Sequence, residues 1–309
     1  MTHNSCISNA AKIAVLFIFL LFNPSFAQSQ TLESKWRYEL SSPLFRPLLA
    51  DNKEPRIGVT NYLEGNQLLL DIGATTDLVE YETAKIYEGD TLLTTYAFGA
   101  DFGTFSLLRK DPNFKFPVEA ADYIFGFYLS FQRPLGDFFG EETYLSARLR
   151  VSHISAHLID GSYDNTLGVW RNGEPPFVFS REFINLVLGY GSDLFRFYLG
   201  YEFLIHTIPN GFSAHSFQAG LEHLVPNLAG TGVSPFVAVD FKLTPVWRRE
   251  IQMTQGLAGT TSVMIGAKTG DIGKRGIRLF YNYVGGNGWR GMYRTESVEY
   301  HSLGFIIDL

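Results

Sequence analysis

The 309-residue chain has a single cysteine, Cys6, and it lies ahead of a short apolar run, Ile13 to Phe22. A disulfide framework is therefore excluded. The run follows Lys12 and is closed by the small-residue triplet Ser25-Phe26-Ala27, the layout of a secretory signal peptide, so residues 1–27 are expected to be removed after Ala27 and Cys6 with them. Beyond Gln28 no uninterrupted apolar stretch reaches the roughly 20 residues a membrane helix requires, which excludes helical spans. Basic residues are in deficit. The full chain has 25 against 31 acidic residues, and 24 against 31 once residues 1–27 are gone. An acidic, exported chain is a poor nucleic-acid binder. No internal repeat, low-complexity segment or second-domain boundary is found.

What the chain does have is 27 Phe, 16 Tyr and 30 Gly, with a mean hydropathy close to zero. That balance suits strands with one apolar and one polar face. Tyr123, Phe125, Phe127, Leu129 and Phe131 share one parity. Phe195, Phe197, Leu199, Tyr201 and Phe203 do the same, as do Val237, Val239, Phe241 and Leu243, and Ile277, Leu279, Tyr281 and Tyr283. Charges take the opposite parity, so Asp101, Arg148, Arg150, Arg196, Glu202, Asp240, Lys242 and Arg278 are expected to face a lumen. The last strand carries Leu303, Phe305, Ile307 and Leu309 on one side against Ser302, Gly304 and Asp308 on the other. A bilayer covers such a face. Ser302, Gly304, Ile307 and Leu309 also resemble the C-terminal assembly signal of bacterial outer-membrane barrels, which implies recognition by the barrel assembly machinery.

The pattern predicts strands over 55–63, 66–74, 92–108, 121–133, 141–157, 177–190, 193–206, 212–224, 233–244, 259–269, 275–286 and 296–309. The fold class is all-β: a transmembrane antiparallel up-and-down barrel of about 12 strands over 55–309, with residues 28–54 as a periplasmic arm. Residues 75–91 form an unexpectedly long connection, and a hairpin around Glu88-Gly89-Asp90 would raise the count to 14. In the long connections Arg171, Trp247, Arg248, Arg249, Trp289, Arg290, Tyr293 and Arg294 mix aromatics suited to the membrane interface with arginines suited to lipopolysaccharide phosphates.

Reactive residue types converge at one place, His153-Ile154-Ser155-Ala156-His157-Leu158-Ile159-Asp160. On a strand His153, Ser155 and His157 share the parity of Leu145, Leu149 and Val151, so the triplet continues the lipid-facing row to the outer interface unless a bulge turns it inward. The His-x-Ser pair resembles that of outer-membrane phospholipase and lipid A deacylase barrels. The resemblance implies Ser155 as nucleophile and His153 as its base; an orienting acid or amide is also needed, for which Asp160 and Asn165 are candidates, and His157 on the same face joins the candidate catalytic set. Those families follow the serine with Asn, whereas Ala156 and His157 stand here. The alternative is ordinary rim polarity. A metal shared by His153 and His157 is disfavoured, because i and i+4 on a strand are about 13 Å apart, and no metal or cofactor is expected.

Leu44-Phe45-Arg46-Pro47-Leu48-Leu49-Ala50-Asp51 with Pro55-Arg56, and His153-x-Ser155-x-His157-Leu158-x-Asp160, resemble two signatures of a bacterial outer-membrane family catalogued as a domain of unknown function. Usual members carry Gly-Asp-Glu after the His-Leu pair, whereas Ile159-Asp160-Gly161 stands here. The resemblance implies location and fold and no reaction. The expectation is an outer-membrane barrel of a Gram-negative bacterium, in contact with membrane lipid and lipopolysaccharide. It is either a non-enzymatic closed barrel or narrow pore for a small solute, an acyl hydrolase using the His-x-Ser pair, or a structural envelope partner.

Overall fold

The computed structural model describes residues 31–309 except 88–89, 139, 172, 174, 249–252, 271–274, 294–295 and 309. The signal-peptide reading, Cys6, Arg249, Arg294 and Leu309 fall outside the described residues. Period-two alternation becomes strand throughout: β1 (Thr31–Arg37), β2 (Ile57–Tyr62), β3 (Gln67–Tyr87), β4 (Asp90–Arg109), β5 (Val118–Phe138), β6 (Glu141–Leu158), the short β7 (Tyr163–Asp164) and β8 (Val169–Trp170), β9 (Phe179–Gly191), β10 (Phe195–Ile208), β11 (His215–Leu224), β12 (Val233–Arg248), β13 (Met253–Thr269), β14 (Gly276–Asn287) and β15 (Ser297–Asp308).

Twelve of these, β2 to β6 and β9 to β15, pair antiparallel with their neighbours in a continuous sheet. The sheet closes where β15 returns to β2, from Ile307 opposite Ile57 to Ser302 opposite Tyr62. Closure removes every edge, as a bilayer requires. The faces sort by chemistry. Phe125, Phe127, Leu199 and Leu279 are 55%, 58%, 67% and 60% exposed on the outside, while Arg148 and Arg181 are 1% exposed within. Such an apolar exterior is untenable in water and is what hydrocarbon demands, so the chain is a transmembrane β-barrel.

The count is twelve, and the fourteen-strand alternative is corrected. Residues 75–87 and 90–91 are strand, because β3 and β4 stay paired from Gln67 opposite Arg109 to Tyr87 opposite Asp90. A bulge between Asp77 and Val79 swaps the parity midway. The alternation therefore breaks in the sequence where the hairpin continues. At this end Trp36 of β1 packs on Tyr81, Tyr81 on Tyr96 and Tyr96 on Phe131, with centroids 4.5, 6.3 and 5.5 Å apart, an aromatic belt of the kind found at a membrane interface. The opposite end carries the 159–178 connection and is called the loop end.

The wall is locked by a device used twice. Tyr128 of β5 lies across Gly99 of β4 and donates its hydroxyl hydrogen to Asp77 of β3 at 2.7 Å. Tyr198 of β10 crosses Gly220 of β11 to Asp240 of β12, also at 2.7 Å. Only glycine leaves the path clear, since a Cβ would stand 2.3 Å from the Tyr128 ring in one case and 2.1 Å from the Tyr198 ring in the other. Gly220→Ala is accordingly expected to displace Tyr198 and to cost about 1–3 kcal/mol for the buried tyrosine hydroxyl left without its acceptor. The temperature at which the folded band disappears on an unboiled detergent gel measures this, and an unchanged temperature contradicts it. Gly304 plays a related part, with a Cβ there standing 2.6 Å from the Phe280 ring.

Candidate functional site

Between β1 and β2 the chain turns into the barrel. Within the stretch expected as an arm, residues 31–37 form a strand paired to β3, and residues 41–56 lie against the inward side chains of the wall. Ser41 exchanges backbone hydrogen bonds with Asp77, and the Leu44 N–H donates to the Asp77 carboxylate at 2.6 Å. Phe45 is held between the guanidiniums of Arg148 and Arg196, 4.9 and 5.3 Å from its ring centre. Arg196 also donates to the carbonyls of Arg46 and Pro47, at 2.6 and 3.0 Å, and to Glu222, which in turn accepts the Leu49 N–H at 2.7 Å.

Past the proline the segment presents carboxylates to the wall's cations. Asp51 takes the Lys242 ammonium at 2.5 Å and the Gln218 amide at 3.1 Å, and Gln218 also donates to Asp240. Glu54 is chelated by Arg148 and Arg150, and Arg150 pairs with Asp101 at 2.6 Å. Arg56 closes the run on Asp71 at 2.8 Å. Six of the eight lumen charges therefore grip this segment or its partners. Of the other two, Arg278 pairs with Asp308 at 2.7 Å on the terminal strand, and Glu202 lies half-buried on β10. Spaces of about 120 and 20 Å³ remain beside the segment.

The outer wall carries a second arrangement. In the β5–β6 and β6–β9 pairings the register runs unbroken through residues 153–156, so His153, Ser155 and His157 stay on the outward parity. His153 lies opposite Glu182 of β9, which lies opposite His206 of β10. Glu182 Oε1 is 2.7 Å from His153 Nδ1, and its Oε2 is 2.6 Å from His206 Nδ1. A carboxylate only accepts, so both Nδ1 atoms carry the hydrogen and each Nε2 is left facing away. On the other side the His153 ring rests on Phe125, centroids 5.0 Å apart.

One row further toward the loop end, Ser155 lies between Tyr123 and Ser180. Its hydroxyl and the His153 imidazole are not hydrogen-bonded here, and contacts of this kind often tighten only around substrate. His157 packs edge-on against Tyr123 at 5.7 Å. Asp160 begins a one-turn 3₁₀ helix, exposed, with no bond to either histidine among the described residues. The acid beside His153 is thus Glu182. The sequence signal for it is a lone carboxylate on the otherwise apolar outward row Ile184, Leu186 and Leu188. Among the described residues no group of three or more His, Cys, Asp or Glu is arranged to hold a metal.

At the loop end Trp247, Trp289 and Arg290 are buried, with Arg290 stacked on Trp289 at 4.4 Å, while Arg171 stays partly exposed and pairs with Asp164 at 2.9 Å.

The fold and these two sites define a transmembrane β-barrel with an internal segment bonded to its inner wall and a His-Glu-His row on its outer face. Residues 37–308 match the family described as "Protein of unknown function (DUF1207)", and the chain belongs to that family. A search of curated proteins gives no match. Among solved structures the chain is similar to the outer membrane phospholipase A from Escherichia coli, with 11% identity over 79% of this chain and 90% of that one and a TM-score of 0.43. It is also similar to the translocator domain of autotransporter NalP from Neisseria meningitidis, with 14% identity over 84% and 91% and a TM-score of 0.30. Pseudomonas aeruginosa OpdK with vanillate gives 10% identity over 81% and 91%, also with a TM-score of 0.30.

Proposed function

We propose that this chain is an outer-membrane barrel whose lumen is sealed and whose working surface is the outer wall, where it hydrolyses acyl esters of membrane lipid. The observation that carries this reading is the hydrogen bond that His153 Nδ1 donates to Glu182. It orients an imidazole at the level where lipid-facing Phe125 gives way to Tyr123, with a serine two residues along the same strand. In the reaction Ser155 Oγ attacks the ester carbonyl while His153 Nε2 takes its proton. The tetrahedral intermediate collapses, the alkoxide leaves with the proton returned by His153, and the acyl group stays on Ser155. Water, deprotonated by the same nitrogen, then releases the fatty acid. Glu182 stabilises the imidazolium formed in each half and fixes its tautomer.

Location supports the assignment of substrate. A nucleophile facing the bilayer meets ester groups at the interface, where glycerophospholipid and lipopolysaccharide both present them. The lumen, occupied by residues 41–56, offers a solute no comparable route. The test is fatty-acid release by the refolded protein from vesicles of phosphatidylethanolamine, and separately of lipopolysaccharide. Release from either supports the reading, and release from neither overturns it. Glu182→Gln retains the size of the side chain but loses its charge. It is expected to lower the rate by roughly 10²–10⁴, and a full rate in that variant removes Glu182 from the mechanism.

A further inference from the structure

The outer wall supplies a serine and a base, and its hydrogen-bond ladder decides where a third group must come from. An ester carbonyl attacked by Ser155 Oγ gains a negative oxygen, and that oxygen needs a hydrogen-bond donor. Backbone N–H groups are the usual source. They are spent here. From His153 to Ala156 every residue of β6 pairs with β5 on one side and with β9 on the other, so the amides around Ser155 are held in the ladder. The donor is therefore a side chain on an adjoining strand. Directly opposite Ser155 on β9 stands Ser180. It is half-buried and shares the outward parity of Glu182, the next outward residue of the same strand. Facing residues of an antiparallel pair have Cβ atoms about 4.5–5.5 Å apart, a span in which a carbonyl oxygen fits between two hydroxyls. The Ser180 hydroxyl is committed to no hydrogen bond among the described residues.

We infer that Ser180 is the oxyanion donor of the wall site, an assignment that rests on the hydrolase reading and adds to it a second hydroxyl with a different task. As the bond from Ser155 Oγ to the ester carbon forms, the carbonyl π pair moves onto oxygen, and the Ser180 O–H donates a hydrogen bond to that oxygen without giving up its proton. When the alkoxide leaves, the pair returns to the carbonyl and the bond weakens again. The same cycle repeats as water releases the acyl group. Tyr123, on the other side of Ser155, is the rival donor, and substitution separates the two.

Fatty-acid release from phosphatidylethanolamine and from lipopolysaccharide vesicles is compared for the full-length refolded wild type, Ser180→Ala and Tyr123→Phe, each first shown to be folded by gel mobility. Ser180→Ala is expected to lower kcat by about 10²–10³-fold with KM little changed, as loss of one oxyanion donor does. Tyr123→Phe should stay close to the wild-type rate. A long-chain p-nitrophenyl ester and its thionoester give a readout that mere structural damage would not move. Sulfur accepts a hydrogen bond poorly, so the wild type should prefer the oxygen ester, and that preference should shrink by about tenfold or more in Ser180→Ala. Three results overturn the inference and leave the hydrolase reading standing: a full rate in Ser180→Ala where Ser155→Ala is inactive, an unchanged ester preference, or a loss found in Tyr123→Phe in place of Ser180→Ala. No release by the wild type from either vesicle overturns both.

Discussion

Ser155→Ala is expected to reduce fatty-acid release from vesicles by about 10³-fold or more, because the covalent route is lost and only binding and polarisation remain. The variant removes one oxygen from a half-buried wall position, so barrel stability should stay within about 0.5 kcal/mol of the parent. That combination separates chemistry from folding. His153→Ala should match it in rate, since the two residues act as a unit and their losses do not add. His206→Ala should fall far less. It shares Glu182 with His153 but lies on the next strand, opposite the carboxylate and away from Ser155. If His206→Ala proves as damaging as Ser155→Ala, the roles of the two histidines are misassigned.

The second large effect concerns the seal. Replacing residues 44–54 by Gly and Ser, with the length kept, removes Phe45, Asp51 and Glu54 while the chain still reaches β2. Wild-type protein in planar bilayers is expected to be silent, and the replaced form to show stepwise current. Arg148→Ala should act in the same direction. It leaves Glu54 with one guanidinium instead of two, and breaking a buried pair of this kind costs about 3–5 kcal/mol.

Much of this was legible in the sequence, and for a physical reason. Along a barrel wall successive residues alternate between lipid and lumen, so each residue's parity directly reports which it faces. Phe125 and Phe127 against Arg148 and Arg150 needed nothing more. The failures occurred where parity ceases to carry information. Beyond Asp77 the β3–β4 hairpin passes a bulge and leaves the hydrocarbon, so its alternation lapses while the strands continue. Residues 41–56 have no period because they form no strand. Their bonds to Arg148, Arg196 and Lys242 span about 95 to 190 positions, and only the closed wall brings such partners together.

The candidate site divides along the same line. His153 and Ser155 are two residues apart on one strand, and their shared outward face follows from spacing. Glu182 and His206 lie on the next two strands, and their approach depends on a register no single segment encodes. Asp160, close in sequence, is drawn into the loop by the 3₁₀ turn. It was the nearby acid, and the bonded one is 29 residues from His153.

The central claim is that the wall bears a nucleophile working at the lipid surface. It is tested most directly by exposing the refolded protein in phospholipid vesicles to a long-chain alkyl fluorophosphonate and finding the labelled residue by mass spectrometry. The account expects a single covalent adduct on Ser155, absent from Ser155→Ala and strongly reduced in His153→Ala. A protein that stays unlabelled, or carries the label on another residue, contradicts it.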